Sequence, residues 1–243
     1  MIEVKNVTKK YGSLMAVDNI SFTVNDGEIV GFLGPNGAGK STTMNAMTGF
    51  IEQTTGEIII NGYDTLKKPK KAKEQIGYMP EGVPVYSDLT IKEFVTYMAE
   101  LKKVKGKEKK ESVKKAIEKT GLLDIQNKLI KNLSRGQKQR VSMAGALVGN
   151  PKVLILDEPT VGLDPKQITE IRNLIIEIGK THTVLLSSHI LSEVSQICNK
   201  VVIINKGKIV AVDTPENLEN KVANNNVVYL SLIHISEPTR QAE

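Results

Sequence analysis

The sequence predicts an α/β protein with a mainly parallel sheet core, an N-terminal antiparallel β subdomain and an inserted helical lobe. Short continuous apolar runs, at Val153–Leu156 and Thr183–Leu186, are typical of strands buried on both faces. They alternate with amphipathic helical segments, which favours a parallel sheet covered on both faces. Between about residues 83 and 150 the pattern is helical. We therefore expect a core formed by residues 1–82 and 151–217, with residues 83–150 as the lobe.

The N-terminal region carries the period-two pattern of half-exposed strands. Ile2–Val7 and Ala16–Val24 alternate apolar and polar residues, and Asn25–Gly27 is a turn. Glu28–Leu33 is an apolar strand that precedes a glycine-rich loop and a helix ending near Gly49. A later hairpin is predicted at Glu57–Ile60, where Asn61 and Gly62 form the turn.

Start and stop signals define the helices of the lobe and of the C-terminal half. Thr90 and Glu93 form a capping box before a helix, and Ser134 and Gln137 form another. The further elements predicted are a helix from about Lys107 to Thr120 ended by Gly121, a helix with apolar positions from Ile168 to Ile178, and a hairpin of Val201–Ile204 with Lys208–Val212.

Composition limits the classes of protein that this chain can belong to. The chain has 243 residues, 40% of them hydrophobic and 25% charged, and a net charge of +6. No apolar run approaches the roughly 20 residues that span a bilayer, so we expect any membrane role to require a partner. The single cysteine, Cys198, excludes an internal disulfide and is expected to be buried. The lysine-rich run 102–115 predicts a solvated helical hairpin, with a nucleic-acid or membrane-surface contact as alternatives.

The segment Gly34–Ser41 has the pattern G-x-x-x-x-G-K-S between a predicted strand and a predicted helix. Its glycines let backbone N–H groups face phosphate oxygens, and the helix N-terminus adds positive charge. Lys40 supplies a cation to the β- and γ-phosphates, Ser41 offers a hydroxyl to Mg²⁺, and Thr42 can bond a phosphate oxygen. The loop therefore predicts a nucleoside triphosphate site formed by Gly34, Pro35, Asn36, Gly37, Ala38, Gly39, Lys40, Ser41 and Thr42.

Polar residues follow two buried strands at the sheet edge where α/β proteins bind ligands. Asp157 fits a Mg²⁺ role, and Glu158 is placed to polarise an attacking water as a general base. His189 ends the next strand in register with Asp157 and is predicted to contact the γ-phosphate. Tyr11 precedes a turn and offers a face for adenine. His182 lacks this register and is expected at the surface.

These motifs and their order resemble those of ATP-binding-cassette (ABC) nucleotide-binding subunits, over about residues 1–217. The matching segments are Gly34–Thr42 for Walker A, Leu133–Gln137 for the LSGGQ signature, Val153–Glu158 for Walker B, Val161–Asp164 for the D-loop, His189 for the switch histidine and Tyr11 for the adenine-stacking aromatic. The resemblance implies the P-loop NTPase fold of ABC ATPases, with ATP and Mg²⁺ as cofactors. It implies catalytic roles for Glu158, His189 and Lys40.

The resemblance also implies a head-to-tail dimer that binds ATP between Gly34–Ser41 of one copy and Ser134–Gln137 of the other. Ser134 and Gly136 would face the partner's γ-phosphate, and the nucleotide-binding set includes Gln137 and Asp164. A helix that begins after Ser134 directs free N–H groups outward, which is physically suited to an anion.

Two positions depart from the family pattern. Glu81 stands at the usual Q-loop glutamine; it can still offer oxygen to Mg²⁺ or water, but it adds negative charge beside the triphosphate. That charge puts the strength of coupling at this loop in question. Arg135 replaces the second signature glycine. Both departures resemble those found in ATPases of bacterial ABC-2-type exporters, so they favour export as the direction of transport.

The implied function is that of a transporter ATPase at the cytoplasmic face of the membrane. Its partners would be a second copy or a paralogous ATPase subunit, and a separate transmembrane permease contacted through the lobe and the Glu81 loop; no nucleic acid is expected. Two alternatives are a non-transport cassette protein acting on ribosomes or DNA, and a stand-alone P-loop kinase. Non-transport cassette proteins usually have two cassettes in one chain or a long coiled-coil insertion. A stand-alone kinase would not require the Ser134–Gln137 segment.

The C-terminal residues carry a separate expectation. Residues 218–229 are expected to begin a C-terminal extension that is truncated here. Leu230–Glu243 is similar to the translation of a transposase-type sequencing adapter, so we expect these residues not to be native. A genuine disordered tail is the alternative, and different codons across 230–240 in the nucleotide record would support it.

Overall fold

The computed structural model describes residues 1–82 and 85–223. Within them the strands are β1 (Ile2–Tyr11), β2 (Leu14–Val24), β3 (Ile29–Leu33), β4 (Thr55–Ile60), β5 (Tyr63–Asp64), β6 (Ile76–Met79), β7 (Val153–Leu156), β8 (Thr183–Ser188), β9 (Lys200–Asn205) and β10 (Lys208–Asp213). The α-helices are α1 (Lys40–Met47), α2 (Pro69–Glu74), α3 (Ile91–Leu101), α4 (Gly106–Lys119), α5 (Arg135–Leu147), α6 (Pro165–Gly179), α7 (Leu191–Val194) and α8 (Pro215–Ala223).

The strands form two sheets. An antiparallel sheet has the order β2-β1-β4-β5 and contains the predicted N-terminal strands. A six-stranded sheet has the order β10-β9-β3-β8-β7-β6; its neighbours are parallel except for β10, which pairs antiparallel with β9 at the edge. The predicted fold class, a mainly parallel core with an antiparallel β subdomain, is confirmed.

Both faces of the parallel sheet are buried, which explains the continuous apolar runs. On β7, Leu154 and Leu156 pack in a cluster with apolar residues of α3, α4, α5 and α6. Val153 and Ile155 face the other way, into a cluster with β1, β2, β4 and α1. Because successive side chains of a strand point to opposite faces, each strand of this kind joins the two clusters.

The lobe helices begin and end where the sequence signals place them. The Thr90 backbone N–H donates to Glu93 Oε2 at 2.8 Å, and the Glu93 N–H donates to Thr90 Oγ1 at 3.2 Å. Gly121 follows α4 with φ +67°, a conformation that favours glycine at a helix end. The division of the chain into a core (1–82 and 151–217), a lobe (83–150) and an extension from 218 stays a prediction. The adapter interpretation of 230–243 lies outside the described residues.

Four of these strands and α-helices were not predicted: α2, β6, α7 and α8. The clearest case is β6, because Gly77 interrupts its apolar run. A Cβ at Gly77 would lie 2.3 Å from the Ala146 carbonyl oxygen, so α5 packs directly onto the backbone of this strand. A glycine inside a strand can mark such a close approach. Here it interrupts the apolar pattern by which the strand would have been predicted.

Lys102 corrects the expectation that the lysine-rich run is solvated throughout. Its ammonium donates to the carbonyl oxygens of Ala146 at 2.7 Å and Val148 at 2.9 Å. These carbonyls lie at the end of α5, where helical partners are missing. Burial lowers the pKa of Lys102 to about 8. The side chain is therefore a C-terminal cap for α5.

Replacing Lys102 with methionine should change how stability depends on pH. The folded-state pKa is about 8 and the ordinary value is 10.5, so between these values the unfolded chain binds more protons. The free energy of unfolding of the unmodified chain should therefore rise with pH over this window, by an amount on the order of 3 kcal/mol. The neutral amine keeps two N–H donors for the two carbonyls.

Urea denaturation at pH values from 7 to 11 tests this expectation, because this range includes both pKa values. The gap in stability between the unmodified chain and Lys102→Met should widen as pH rises. Lys107→Met, at an exposed position of α4, is the control and should leave the pH dependence unchanged. Parallel stability curves for the chain and Lys102→Met would contradict the role of Lys102.

Candidate functional site

A cleft of about 680 Å³ opens where the strand ends of the parallel sheet meet the β1–β2 turn. It is lined by Tyr11, Leu14, Met15, Ala16, Pro35, Asn36, Gly37, Gly39, Lys40, Ser41, Thr42, Glu81, Glu158, Val161, His189, Lys206 and Gly207. Segments far apart in the sequence therefore meet at the carboxyl edge of the sheet, the usual ligand position in α/β folds.

The glycine-rich loop at 34–39 depends on close backbone approaches. A Cβ at Gly34 would lie 2.3 Å from the Ile204 carbonyl oxygen. Gly39 has φ +109°, and a Cβ there would lie 2.7 Å from the Ala16 carbonyl oxygen. Helix α1 begins directly after Gly39 and has no side-chain cap at its N-terminus. Its first N–H groups therefore remain available at the edge of the cleft, as an anion requires.

Lys40, Glu158 and His189, the three residues predicted as catalytic, form one connected chain of contacts. Lys40 Nζ donates to the Gly34 carbonyl oxygen at 2.6 Å and lies 3.4 Å from Glu158 Oε1. The other carboxylate oxygen, Glu158 Oε2, lies 3.0 Å from His189 Nδ1. Lys40 and Glu158 are buried. The arrangement holds a carboxylate between a cation and an imidazole at the mouth of the phosphate-binding loop.

Asp157 and Glu158 are linked by Ser187, a residue that sequence reasoning missed. The Ser187 hydroxyl donates to Asp157 Oδ1 at 2.6 Å and accepts from the Glu158 N–H at 2.8 Å. Glu158 has φ +47°, an uncommon conformation for a residue other than glycine. Ser187 is the penultimate residue of β8, which pairs with β7, and only this pairing of strands could have indicated its role.

The residues predicted for Mg²⁺ fit a site that is completed by other ligands. Ser41 and Glu81 line the cleft, whereas Asp157 is buried just behind it. In the described part of the chain, no three His, Cys, Asp or Glu side chains are grouped to hold a metal by themselves. Mg²⁺ typically takes one or two carboxylates and fills its shell with water and phosphate oxygens. The donor set is therefore compatible with Mg²⁺ beside a bound triphosphate.

Six predicted nucleotide-binding residues do not line this cleft: Gly34 and Ala38 of the loop itself, and Ser134, Gly136, Gln137 and Asp164. Ser134 caps α5 by accepting from the Gln137 N–H at 3.3 Å, and its own N–H donates to Gln137 Oε1 at 3.0 Å. Asp164 caps α6 by accepting from the Gln167 N–H at 2.9 Å. The predicted capping box is present, and it lies away from the phosphate-binding loop of the same chain.

Arg135, the unusual residue of the signature segment, packs on the loop that follows Glu158. A Cβ at Gly162 would lie 2.2 Å from Arg135 Cζ, so the guanidinium occupies the space that a side chain at position 162 would need. Gly162 also has φ +68°. At the neighbouring Gly136, a Cβ would lie 2.9 Å from Cδ of Gln167 in α6. The signature segment thus fits onto residues 162–167 of its own chain.

Two further predictions concern Tyr11 and His182. Tyr11 lines the cleft with 47% of its surface exposed, and Lys9 Nζ lies 5.0 Å from its ring centroid. His182 was expected at the surface, and this was wrong. It is buried, and its Nδ1 lies 2.7 Å from Thr181 Oγ1 and 3.1 Å from the Ile178 carbonyl oxygen. Burial lowers the pKa of His182, so it packs as a neutral residue near the end of α6.

Sequence reasoning also missed Lys206 and Gly207, which line the cleft beside the loop. The Gly207 N–H donates to the Ala38 carbonyl oxygen at 2.9 Å, and its own carbonyl accepts from the Asp18 N–H at 2.8 Å. The β9–β10 turn therefore ties the glycine-rich loop to β2. Lys206 adds a positive charge to the cleft, and its only signal in the sequence is an ordinary turn pattern.

Known proteins are similar to this chain over most of its length. The family model described as ABC transporter matches residues 17–161. The linearmycin resistance ATP-binding protein LnrL of Bacillus subtilis (strain 168) is 34% identical over 238 residues, which cover 98% of this chain and 76% of that protein. The bacitracin transport ATP-binding protein BcrA of Bacillus licheniformis is 42% identical over 211 residues, covering 86% of this chain and 68% of that protein.

A solved structure has the same fold. The ATP-binding cassette MJ0796, described as a dimer in a post-hydrolysis state bound to ADP and Pi, has a TM-score of 0.78 and 27% sequence identity. The match covers 88% of this chain and 99% of that one. Within residues 1–82 and 85–223, no helix combines the length and the hydropathy needed to cross a membrane. The chain belongs to the ABC transporter family, and its domain binds and hydrolyses ATP.

Proposed function

We propose that two copies of this chain, or one copy and a paralogous subunit, hydrolyse ATP at a shared interface and drive export through a separate permease. The observation that carries the proposal is the separation of two phosphate-binding elements. Lys40 and the glycine-rich loop line the cleft, whereas the α5 N-terminus at Ser134 does not. Each half-site then needs a complement from another chain.

The contacts around Glu158 support its assignment as the general base. In this arrangement Lys40 Nζ lies 3.4 Å from Glu158 Oε1 and neutralises the carboxylate. A triphosphate on the loop would draw the ammonium toward its β- and γ-oxygens, because these carry more charge. Glu158 would then accept a proton from the attacking water, with His189 fixing the carboxylate through the 3.0 Å contact.

The remaining residues would bind and orient. Asp157 and Ser41, with Glu81 at the cleft edge, would hold Mg²⁺, which when bound neutralises charge that develops on the phosphates. Ser187 keeps Asp157 and Glu158 in fixed positions through its two hydrogen bonds. Tyr11 would stack on adenine, and the N–H groups of Gly37–Thr42 would contact phosphate oxygens.

The α5 N-terminus supports the role of a second copy. Its first turn contains no acidic side chain, and Ser134 satisfies only the Gln137 N–H. A helix N-terminus that keeps free donors attracts an anion. Ser134 and Gly136 would therefore face the γ-phosphate held by the other copy, and Gln137 and Asp164 would lie at the same interface.

Export is the direction that we infer for transport. LnrL and BcrA carry names that describe antibiotic resistance and antibiotic transport, and Arg135 and Glu81 follow the exporter-like pattern. The chain would lie at the cytoplasmic face of the membrane, held there by the permease.

An exposed aromatic groove is the surface that we assign to the permease. It has a volume of about 560 Å³ and is lined by Val85, Tyr86, Ser87, Asp88, Leu89 and Tyr97. Tyr86 and Tyr97 meet edge to face with ring centroids 5.5 Å apart, and 56% and 37% of their surfaces are exposed. Exposed aromatic side chains in a groove are typical anchors of a protein interface. The groove follows closely after the Glu81 loop in the chain, where coupling to the nucleotide is expected.

Co-purification from native membranes tests this function. The tagged chain should retain a multi-span permease, and Tyr86→Ala with Tyr97→Ala should lose it while keeping the ATP hydrolysis of the isolated chain. Phe50→Ala removes another aromatic side chain, which lies three residues after α1 and is 80% exposed, and is the control that should retain the permease. Recovery of ribosomal proteins or DNA instead of a permease would refute the transport function.

A further inference from the structure

A second groove, of about 450 Å³, lies between α3 and α4 and shares no lining residue with the ATP cleft or the aromatic groove. Four lysines line it: Lys92, Lys109, Lys110 and Lys114. Among the residues that the structure describes, no carboxylate lines it. We call this surface, with its apolar floor, the lysine groove.

The lysine groove carries four positive charges, one of which is paired with a carboxylate of the chain. Lys109 Nζ lies 2.9 Å from Glu100 Oε1. Lys92, Lys110 and Lys114 are exposed and form no ion pair with any side chain that the structure describes, which are those of residues 1–82, 85–218 and 220. Lys110 and Lys114 are four residues apart on α4, so their charges repel each other and weaken the helix. An anion in the groove would relieve this repulsion.

The floor of the lysine groove selects among anionic partners. It is formed by Val113, Ile117 and Leu123, and 41% of the Leu123 surface is exposed. Lysine stems that cover apolar surface while their ammonium groups reach outward are typical of protein faces at a membrane interface. No aromatic side chain lines the groove among the described residues, so bases of a nucleic acid have nothing to stack on.

We propose that the lysine groove binds the headgroups of an anionic lipid bilayer. A leaflet rich in anionic lipid attracts clustered lysines, and the charge of the groove complements it. Helix α3 carries Lys92 of this groove and Tyr97 of the aromatic groove. If a permease binds the aromatic groove, the lysine groove lies next to the bilayer that contains the permease. This placement depends on the proposed function, whereas binding of vesicles by the isolated chain does not.

Vesicle flotation with the full chain tests the proposal. The chain should float with vesicles of phosphatidylcholine that contain phosphatidylglycerol, and not with phosphatidylcholine alone. Lys92→Gln, Lys110→Gln and Lys114→Gln combined should weaken partitioning by on the order of a hundredfold, because each lysine near an anionic leaflet contributes about fivefold. The variant should keep its ATP hydrolysis, so a failure of lipid binding is distinguished from a failure of the proposed ATPase site.

The matched control removes the same charge elsewhere, by Lys70→Gln, Lys152→Gln and Lys180→Gln, and should keep most of the binding. Equal loss in both triple variants would show that net charge alone causes the binding, and would overturn the proposal. No binding to the anionic vesicles would overturn it as well. So would binding of poly-glutamate through the three groove lysines without binding to vesicles, because the partner would then be an acidic peptide.

Discussion

Replacing Glu158 with glutamine is expected to slow ATP hydrolysis by roughly a hundredfold to ten-thousandfold, the usual contribution of a general base. Glutamine has nearly the same volume and can still accept a hydrogen bond from His189, but it cannot take a proton from water. It also removes the negative charge that pairs with Lys40 at 3.4 Å. The ammonium is then free for phosphate, so ATP should bind at least as tightly.

The same variant should accumulate as an ATP-bound dimer, because closure no longer leads to hydrolysis. Steady-state phosphate release and size-exclusion chromatography with and without ATP measure the two effects. Glu177→Gln, an exposed position of α6, should keep normal turnover and elute as the unmodified chain does. A Glu158→Gln protein that remains monomeric with ATP and turns over normally would refute the assignment of the base.

A shared site predicts that two inactive variants restore activity when they are mixed. Ser134→Asp keeps a good N-cap for α5, but its carboxylate would repel the triphosphate held by the other copy. Mixed with Glu158→Gln chains, it should form heterodimers with one intact site, made from the loop of the Ser134→Asp chain and the signature of its partner. Random pairing should give about one quarter of normal turnover, since half of the dimers carry one working site out of two.

Two controls make the mixing experiment decisive. Ser134→Asn keeps the cap without the charge and should retain much of the turnover when assayed alone. In the double variant Ser134→Asp with Glu158→Gln both half-sites are defective, so its heterodimers with unmodified chains should be inactive. Turnover in that mixture should come from unmodified homodimers alone, about one quarter of all dimers. If Ser134→Asp alone hydrolyses ATP normally, or if the complementary mixture stays inactive, the shared site is disproved.

Features that depend on neighbours in the sequence were predictable. The two capping boxes, at Thr90 and Ser134, each involve residues three positions apart, and both are present. The glycine-rich loop was equally accessible, because Gly39, Lys40 and Ser41 have a fixed spacing before a helix. The buried strands could be identified because both faces of the parallel sheet are covered.

Features that depend on tertiary packing could not be predicted. Lys102 was expected in solvent, but its carbonyl partners lie 44 and 46 residues away, at the end of α5. Ser187 became recognisable only when β8 paired with β7, which brings its hydroxyl to Asp157 and Glu158. His182 was misplaced because a single histidine before a strand carries no signal of burial.

The contact of Arg135 with Gly162 has a consequence for exchanging segments between relatives. The guanidinium fills space that a Cβ at position 162 would occupy, so the two positions form one steric unit. A chimera that imports another signature segment without the 159–164 loop would leave a gap or create an overlap between them. Such hybrids should fold and function only when both segments come from the same parent.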